Sequence, residues 1–176
     1  MAIKVETEIE IARPPEEVFE YLADGEKLSE WMRDFESVEK DSDGPIGKGT
    51  KYRYRLSRPD KVSTFEYVEY EPGRLAAWAG PPVKTGPGGL APRGRLELEP
   101  SGEGTRVRAV FEPEPHGFMK AMQPVVTYTL RKDSTRDLER LKEILEGGGR
   151  DEGGSGEAAS GDVESASGGD GNGASA

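Results

Sequence analysis

The chain carries a single histidine, His116, and no cysteine. A thiol–imidazole dyad and a histidine cluster are therefore ruled out, as are disulfides and thiolate metal sites. His116 stands between Pro115 and Gly117, a junction at which an imidazole more often faces water than catalyses. Acids close together in sequence, Asp41 with Asp43 and Glu112 with Glu114, fall in turns and at strand ends, so neither a metal nor another cofactor is expected. Residues 86–94, Gly-Pro-Gly-Gly-Leu-Ala-Pro-Arg-Gly, lack the Gly-Lys-Ser/Thr ending of a phosphate loop, and their prolines remove amides that such a loop uses. They read instead as a loop bordering a cavity mouth. What remains for catalysis is general acid–base help from Tyr54, Arg95 or His116, of the kind that assists an enolisation.

Alternation positions the tyrosines. Residues 51–56 read Lys-Tyr-Arg-Tyr-Arg-Leu, and a strand that keeps Lys51, Arg53 and Arg55 in water turns Tyr52 and Tyr54 inward. Two inward hydroxyls need partners. That suits a ligand cavity, which is apolar with a few polar handles; a filled core with edge tyrosines is the other reading. Ile3, Val5, Thr7, Ile9 and Ile11 alternate with Lys4, Glu6, Glu8 and Glu10 in a first strand. Further strands are expected at residues 35–40, 62–70, 74–79, 93–99 and 105–112. Leu96 and Leu98 share one face, as do Val107, Ala109 and Phe111. In residues 76–79 the alternation leaves open whether Ala76 and Trp78 or Ala77 and Ala79 face inward. Residues 80–92 hold four Gly and four Pro and read as a long loop.

Helices frame this strand section. Pro14-Pro15-Glu16-Glu17 opens a short one with an apolar face of Val18, Phe19 and Leu22. A second carries Leu28, Trp31, Met32 and Phe35. Residues 116–146 form the longest amphipathic stretch, with Met119, Met122, Val126, Leu130, Ser134, Leu138, Leu141 and Leu145 in one stripe. Pro124 either begins this helix or kinks it. The leucines of the second half predict solid packing. Met119, Met122, Val126 and Leu130 are placed to wall a cavity, together with Tyr52, Tyr54, Trp78 and Leu96.

The order of elements and several local patterns resemble the START/Bet v 1-like helix-grip superfamily, SRPBCC, and within it the bacterial polyketide cyclase/dehydrase-like branch. The matching pieces are the first strand followed by Pro-Pro-Glu-Glu-Val18-Phe19 with Leu22, Trp31, and Gly47-Lys-Gly49-Thr50. They continue with Val68-Glu-Tyr-Glu-Pro72 and Arg74-Leu75, Gly104-Thr105-Arg106-Val107, and Leu138-Glu-Arg-Leu141-Lys142. The resemblance spans residues 1–146. It implies an α+β helix-grip fold: a seven-stranded antiparallel sheet wrapped around a long C-terminal helix, with two short helices after strand one and an apolar cavity between sheet and helix. Strand one would then pair with the last strand, bringing Glu6, Glu8 and Glu10 beside Arg106 and Arg108 on the outer face.

Composition narrows the function. The net charge is −10 over 176 residues, without the basic balance of a nucleic-acid binder, and an acidic surface disfavours anionic membranes. No apolar run reaches the roughly 20 residues of a membrane span, and no signal peptide is seen, so a cytoplasmic protein is expected. Residues 147–176 hold six acids, one base and one large aliphatic residue among Gly, Ser and Ala, a composition expected to stay disordered. One domain is thus expected at 1–146. The leading expectation is a binder of a small hydrophobic molecule, a lipid, polyketide or isoprenoid-like compound. A polyketide cyclase/dehydratase-type enzyme and a protein-interaction module using the acidic tail are the alternatives.

Overall fold

In the computed structural model, which describes residues 3–147, the sequence alternation becomes one large sheet. Strand β1 (Val5–Ile11) is followed by helix α1 (Pro15–Ala23), a 3-10 turn (Gly25–Lys27) and the one-turn helix α2 (Leu28–Trp31). Strands β2 (Phe35–Lys40), β3 (Lys51–Ser57), β4 (Asp60–Glu71), β5 (Leu75–Ala79), β6 (Val83–Thr85), β7 (Gly88–Ala91), β8 (Arg93–Ser101), β9 (Gly104–Phe111) and β10 (Glu114–Gly117) come next. A second 3-10 turn (Phe118–Lys120) and helix α3 (Gln123–Gly147) end the described chain. Seven strands form an antiparallel sheet in the order β1-β9-β8-β5-β4-β3-β2. This is the helix-grip architecture, a curled sheet with a long C-terminal helix and short helices after the first strand.

Register sorts the side chains. β1 pairs with β9 so that Glu8 lies opposite Arg108 and Glu10 opposite Arg106. On the outer face Arg106 meets Glu10 at 3.0 Å, and Arg108 meets Glu6 at 3.1 Å and Glu97 at 3.4 Å. The inner face carries Ile11, Val107, Ala109, Leu96, Leu98, Tyr52, Tyr54, Phe65 and Tyr67, all buried. On β5 it is Ala76 and Trp78 that join the core or pack against it.

Two expectations change. Residues 80–92 are not merely a loop: β6 and β7 pair there, and β10 joins them in a separate three-stranded sheet, order β10-β7-β6. Their glycines permit it, since a Cβ at Gly88 would lie 2.8 Å from the His116 carbonyl oxygen and one at Gly89 2.7 Å from that of Val83. His116 consequently sits on a strand, Met119 in the 3-10 turn, and Pro124 in the first turn of α3. The tail expected at 147–176 lies outside the described residues from 148 onward.

α3 has two distinct halves. Its buried residues are Ser134, Asp137, Leu138 and Leu141. Thr7 Oγ1 and Ser134 Oγ are 2.6 Å apart, Lys142 Nζ donates to the Glu10 carbonyl at 2.7 Å, Arg13 Nε donates to the Leu145 carbonyl at 2.9 Å, and Arg140 Nε donates to the Glu30 carbonyl at 2.7 Å. Each of these ties falls at or beyond Ser134.

Gly25 shows how tightly the plugging helices press on the sheet. A Cβ there would lie 2.7 Å from Cε1 of the fully buried Tyr52 ring. That ring cannot yield, because it stacks on Phe65 at 5.0 Å and meets Tyr67 edge-on at 5.7 Å. Gly25→Ala is therefore expected to destabilise the fold by about 1–3 kcal/mol, the cost of an overpacked core, as read from a urea midpoint that falls while the slope stays constant.

Candidate functional site

The curl of the sheet leaves space between its inner face, α2 and the small sheet, closed on the α3 side by Leu130. A cavity of about 310 Å³ lies there. Sheet residues Tyr54, Leu56, Phe65, Tyr67, Trp78, Leu96 and Phe111 line it. α2 and its exit contribute Leu28, Trp31, Met32, Asp34 and Phe35, the small sheet contributes Val83 and Leu90, and α3 contributes Leu130. The lining is overwhelmingly aliphatic and aromatic, with Asp34, Arg58 and Arg93 as its charged members.

The row across the central strands helps to keep this space open. Leu96 pairs laterally with Ala76 on β5 and with Ala109 on β9, so one bulky side chain stands between two methyl groups. Gly94, one step along the same inner face, has no room for more: a Cβ there would lie 2.6 Å from the Trp78 ring.

Polar atoms are few. Tyr67 donates its hydroxyl to the Ala23 carbonyl at 3.1 Å. Burial holds the Tyr54 hydroxyl above its ordinary pKa, opposed by a hydrogen bond with the Ser63 side chain directly across the strand pair. Two buried side-chain polar atoms among the described residues have no hydrogen-bond partner, Trp31 Nε1 and the Tyr52 hydroxyl. The latter comes up against Gly25 outside hydrogen-bonding geometry, and burial pushes its pKa up to about 12.

The residues singled out from sequence separate into two groups. Tyr54, Trp78, Leu96 and Leu130 line the cavity. Tyr52 does not, being fully buried behind it in the aromatic core. Met119, Met122 and Val126 do not reach it either; they lie on the stretch that leads up to Leu130. Of the acid–base candidates only Tyr54 is in the lining. Arg95 points to the outer face, where it meets Glu97 at 2.6 Å and Glu112 at 3.3 Å. His116 is exposed on β10, opposite Gly89. The three therefore do not form one catalytic group. Among the described residues no set of three His, Asp or Glu side chains is placed to hold a metal ion.

Sequence patterns place Leu28 and Met32 on a helix but not in the cavity, and they miss Val83 and Leu90, which come from strands too short to show a period. They also missed a carboxylate pair at the helix seam. Asp137 of α3 is buried, accepts the backbone N–H of Arg33, and feels the charges of Asp34, Asp133 and Arg136. Burial chiefly, with the Asp34 and Asp133 charges, pushes its pKa up to about 6 from an ordinary 3.8. Asp34 itself is exposed, and partial desolvation of its carboxyl, with the Asp133 charge, raises its pKa against the opposing charge of Arg136. The folded state thus holds the Asp137 proton more tightly than the unfolded chain does. Its contribution to stability is complete below pH 3.8 and is lost as pH rises through about 6. Asp137→Asn keeps the acceptor for Arg33 and removes the charge. Its melting temperature is expected to exceed that of the parent at pH 7 and to vary less between pH 4 and 7, as measured by thermal unfolding across that range.

Comparison with known proteins gives three results. A family model described as polyketide cyclase/dehydrase and lipid transport matches residues 2–146. No curated protein matches the chain. Several solved structures share its fold. The Zhui aromatase/cyclase from Streptomyces sp. R1128 is 19% identical, covering 88% of this chain and 99% of its own, with a TM-score of 0.67. A conserved protein from Geobacillus kaustophilus is 20% identical over 82% of this chain and 95% of its own, with a TM-score of 0.67. A protein from Thermus thermophilus is 22% identical over 82% of this chain and 98% of its own, with a TM-score of 0.63.

Proposed function

We propose, on the premise that the chain belongs to the polyketide cyclase/dehydrase and lipid transport family, that it binds a small hydrophobic molecule in the cavity beneath the first half of α3. Lipids, polyketides and isoprenoid-like compounds are the classes that fit. The observation that carries this reading is the cavity itself. At about 310 Å³ it stands at the low end of small-molecule pockets, roughly 300–1,000 Å³, and its walls are apolar. Tyr54, Trp78, Leu96 and Leu130 form the ligand site. Asp34 and Arg58, with Arg93 in its ion pair with Glu114 at 3.4 Å, are the charged groups available to the polar end of an amphiphile. No described helix is long and apolar enough to cross a membrane, and we place the protein in the cytoplasm, without a nucleic-acid partner.

Native mass spectrometry of the full chain purified from its own host tests this. The expected spectrum contains a bound species of a few hundred daltons that organic solvent extracts. Protein that is consistently ligand-free, and that takes up no fatty acid or aromatic polyketide when these are added, removes the reading.

One observation favours a second reading, an enzyme of cyclase or dehydratase type. The lining contains a carboxyl with a raised pKa, Asp34, and a buried phenol, Tyr54. A proton donor and acceptor facing an apolar ligand are what an enolisation requires, and help of that kind is typically worth ~10²–10⁴-fold. Turnover of a poly-β-ketone that survives both Asp34→Asn and Tyr54→Phe would exclude these two residues as the acid and base.

A further inference from the structure

The run leading into α3 is apolar on two sides, and the structure covers only one. Ala121 N–H donates to the Phe118 carbonyl, Met122 to Met119 and Val126 to Met122, so the 3-10 turn passes directly into the helix. One stripe of this run, Met119, Met122, Val126 and Leu130, is partly covered. The other, Phe118, Ala121, Val125 and Tyr128, faces water, with Phe118 58%, Val125 56% and Tyr128 71% exposed. A helix that is apolar all round is normally covered all round.

Charge identifies what would cover it. Residues 115–132 contain no acid, while Lys120, Arg131 and Lys132 are all present and exposed. Lys132 continues the apolar stripe at a spacing of four from Tyr128, and the other two flank it. None of the three has a carboxylate partner among the described residues. Residues 72–96, which include the neighbouring β6 and β7, are acid-free as well. In a chain of net charge −10, the stripe is thus flanked by cations, with acids nearest on the β1 side, where Arg131 borders a groove shared with Glu6, Glu8 and Glu139. A second copy of the chain is a poor occupant, because a two-fold contact would set the three cations against themselves.

We propose that this face docks on an anionic lipid bilayer. Phe118, Val125 and Tyr128 enter the interfacial region, and Lys120, Arg131 and Lys132 meet lipid phosphates. The overall negative charge does not prevent this, because charges more than ~8 Å from the surface are screened at physiological ionic strength. The stripe lies on the same helix as Leu130, which walls the cavity from the covered side.

The test is flotation of the full chain with phosphatidylcholine vesicles, with and without an equal part of phosphatidylglycerol. Binding is expected to the anionic vesicles only, and to fall several-fold when salt is raised from about 0.1 M to about 0.5 M. The double variants Phe118→Ser/Tyr128→Ser and Lys120→Glu/Lys132→Glu alter exposed side chains and are expected to melt with the parent. Each should lose vesicle binding by roughly tenfold or more. Parent protein that ignores anionic vesicles overturns the proposal, as does binding that both variants retain. So does a parent that binds an acidic protein through this stripe but no vesicle. Ligand retained in native mass spectrometry by variants that have lost vesicle binding supports a docking face separate from the cavity.

Discussion

Leu141→Ala is expected to lower the free energy of unfolding by about 2–5 kcal/mol, the range for removing a fully buried leucine. Leu141 has no exposed surface and belongs to the main core. The region around it cannot collapse into the gap, because the same half of α3 is held on both sides. Lys142 and Arg13 bind it to the β1 segment, and Arg140 binds it to α2. Small domains are stable by only about 5–15 kcal/mol, so this one change removes a large part of the total. Leu130→Ala, three turns earlier, makes the comparison informative. Leu130 is half-buried, whereas Leu141 is fully buried, so loss of Leu130 gives up much less buried apolar surface. A cost of about 1 kcal/mol or less is expected there, below the range for filled cores. Urea unfolding of both variants measures the difference. Equal costs would mean that α3 is packed alike along its length, and that the cavity is not a feature of its first half.

That contrast was partly legible from the residues. A period of two in Lys-Tyr-Arg-Tyr-Arg-Leu is enough to turn Tyr52 and Tyr54 inward, and both are buried. The pairing of β1 with β9 followed from the resemblance, and the alternating glutamates do meet Arg106 and Arg108. Periodicity names a face but not what stands opposite it. Tyr52 and Tyr54 are two residues apart on one strand, yet the first lies under Gly25 and the second opens on the cavity. Only a contact between distant segments separates them. The stripe from Met119 to Leu130 reads as one wall for the same reason, whereas only Leu130 reaches the lining. β6, β7 and β10 escaped because strands of three or four residues have too little length to alternate, and because Gly and Pro signal loops more often than close pairing.

Leu96→Trp is expected to abolish binding of the hydrophobic ligand, by a hundredfold or more, which corresponds to about 2.7 kcal/mol, while leaving the chain folded. The two consequences separate because of where the residue stands. Leu96 rises from a central strand into the cavity, and its lateral neighbours, Ala76 and Ala109, are small. An indole there therefore extends into empty space instead of into packed side chains. The penalty to stability is expected near or below the usual overpacking cost of about 1–3 kcal/mol, and thermal unfolding reads it. The ligand meets the opposite situation. In a space of about 310 Å³ it has no room to move aside, and the apolar wall that the indole now covers is no longer there for the ligand to bury itself against. Leu96→Ala is the complement, costing about 2–5 kcal/mol of stability while admitting a bulkier ligand. Titration of a fluorescent fatty acid or polyketide probe against the parent and both variants, with melting curves beside them, distinguishes the outcomes. Undiminished binding in a folded Leu96→Trp protein would place the ligand somewhere other than this cavity.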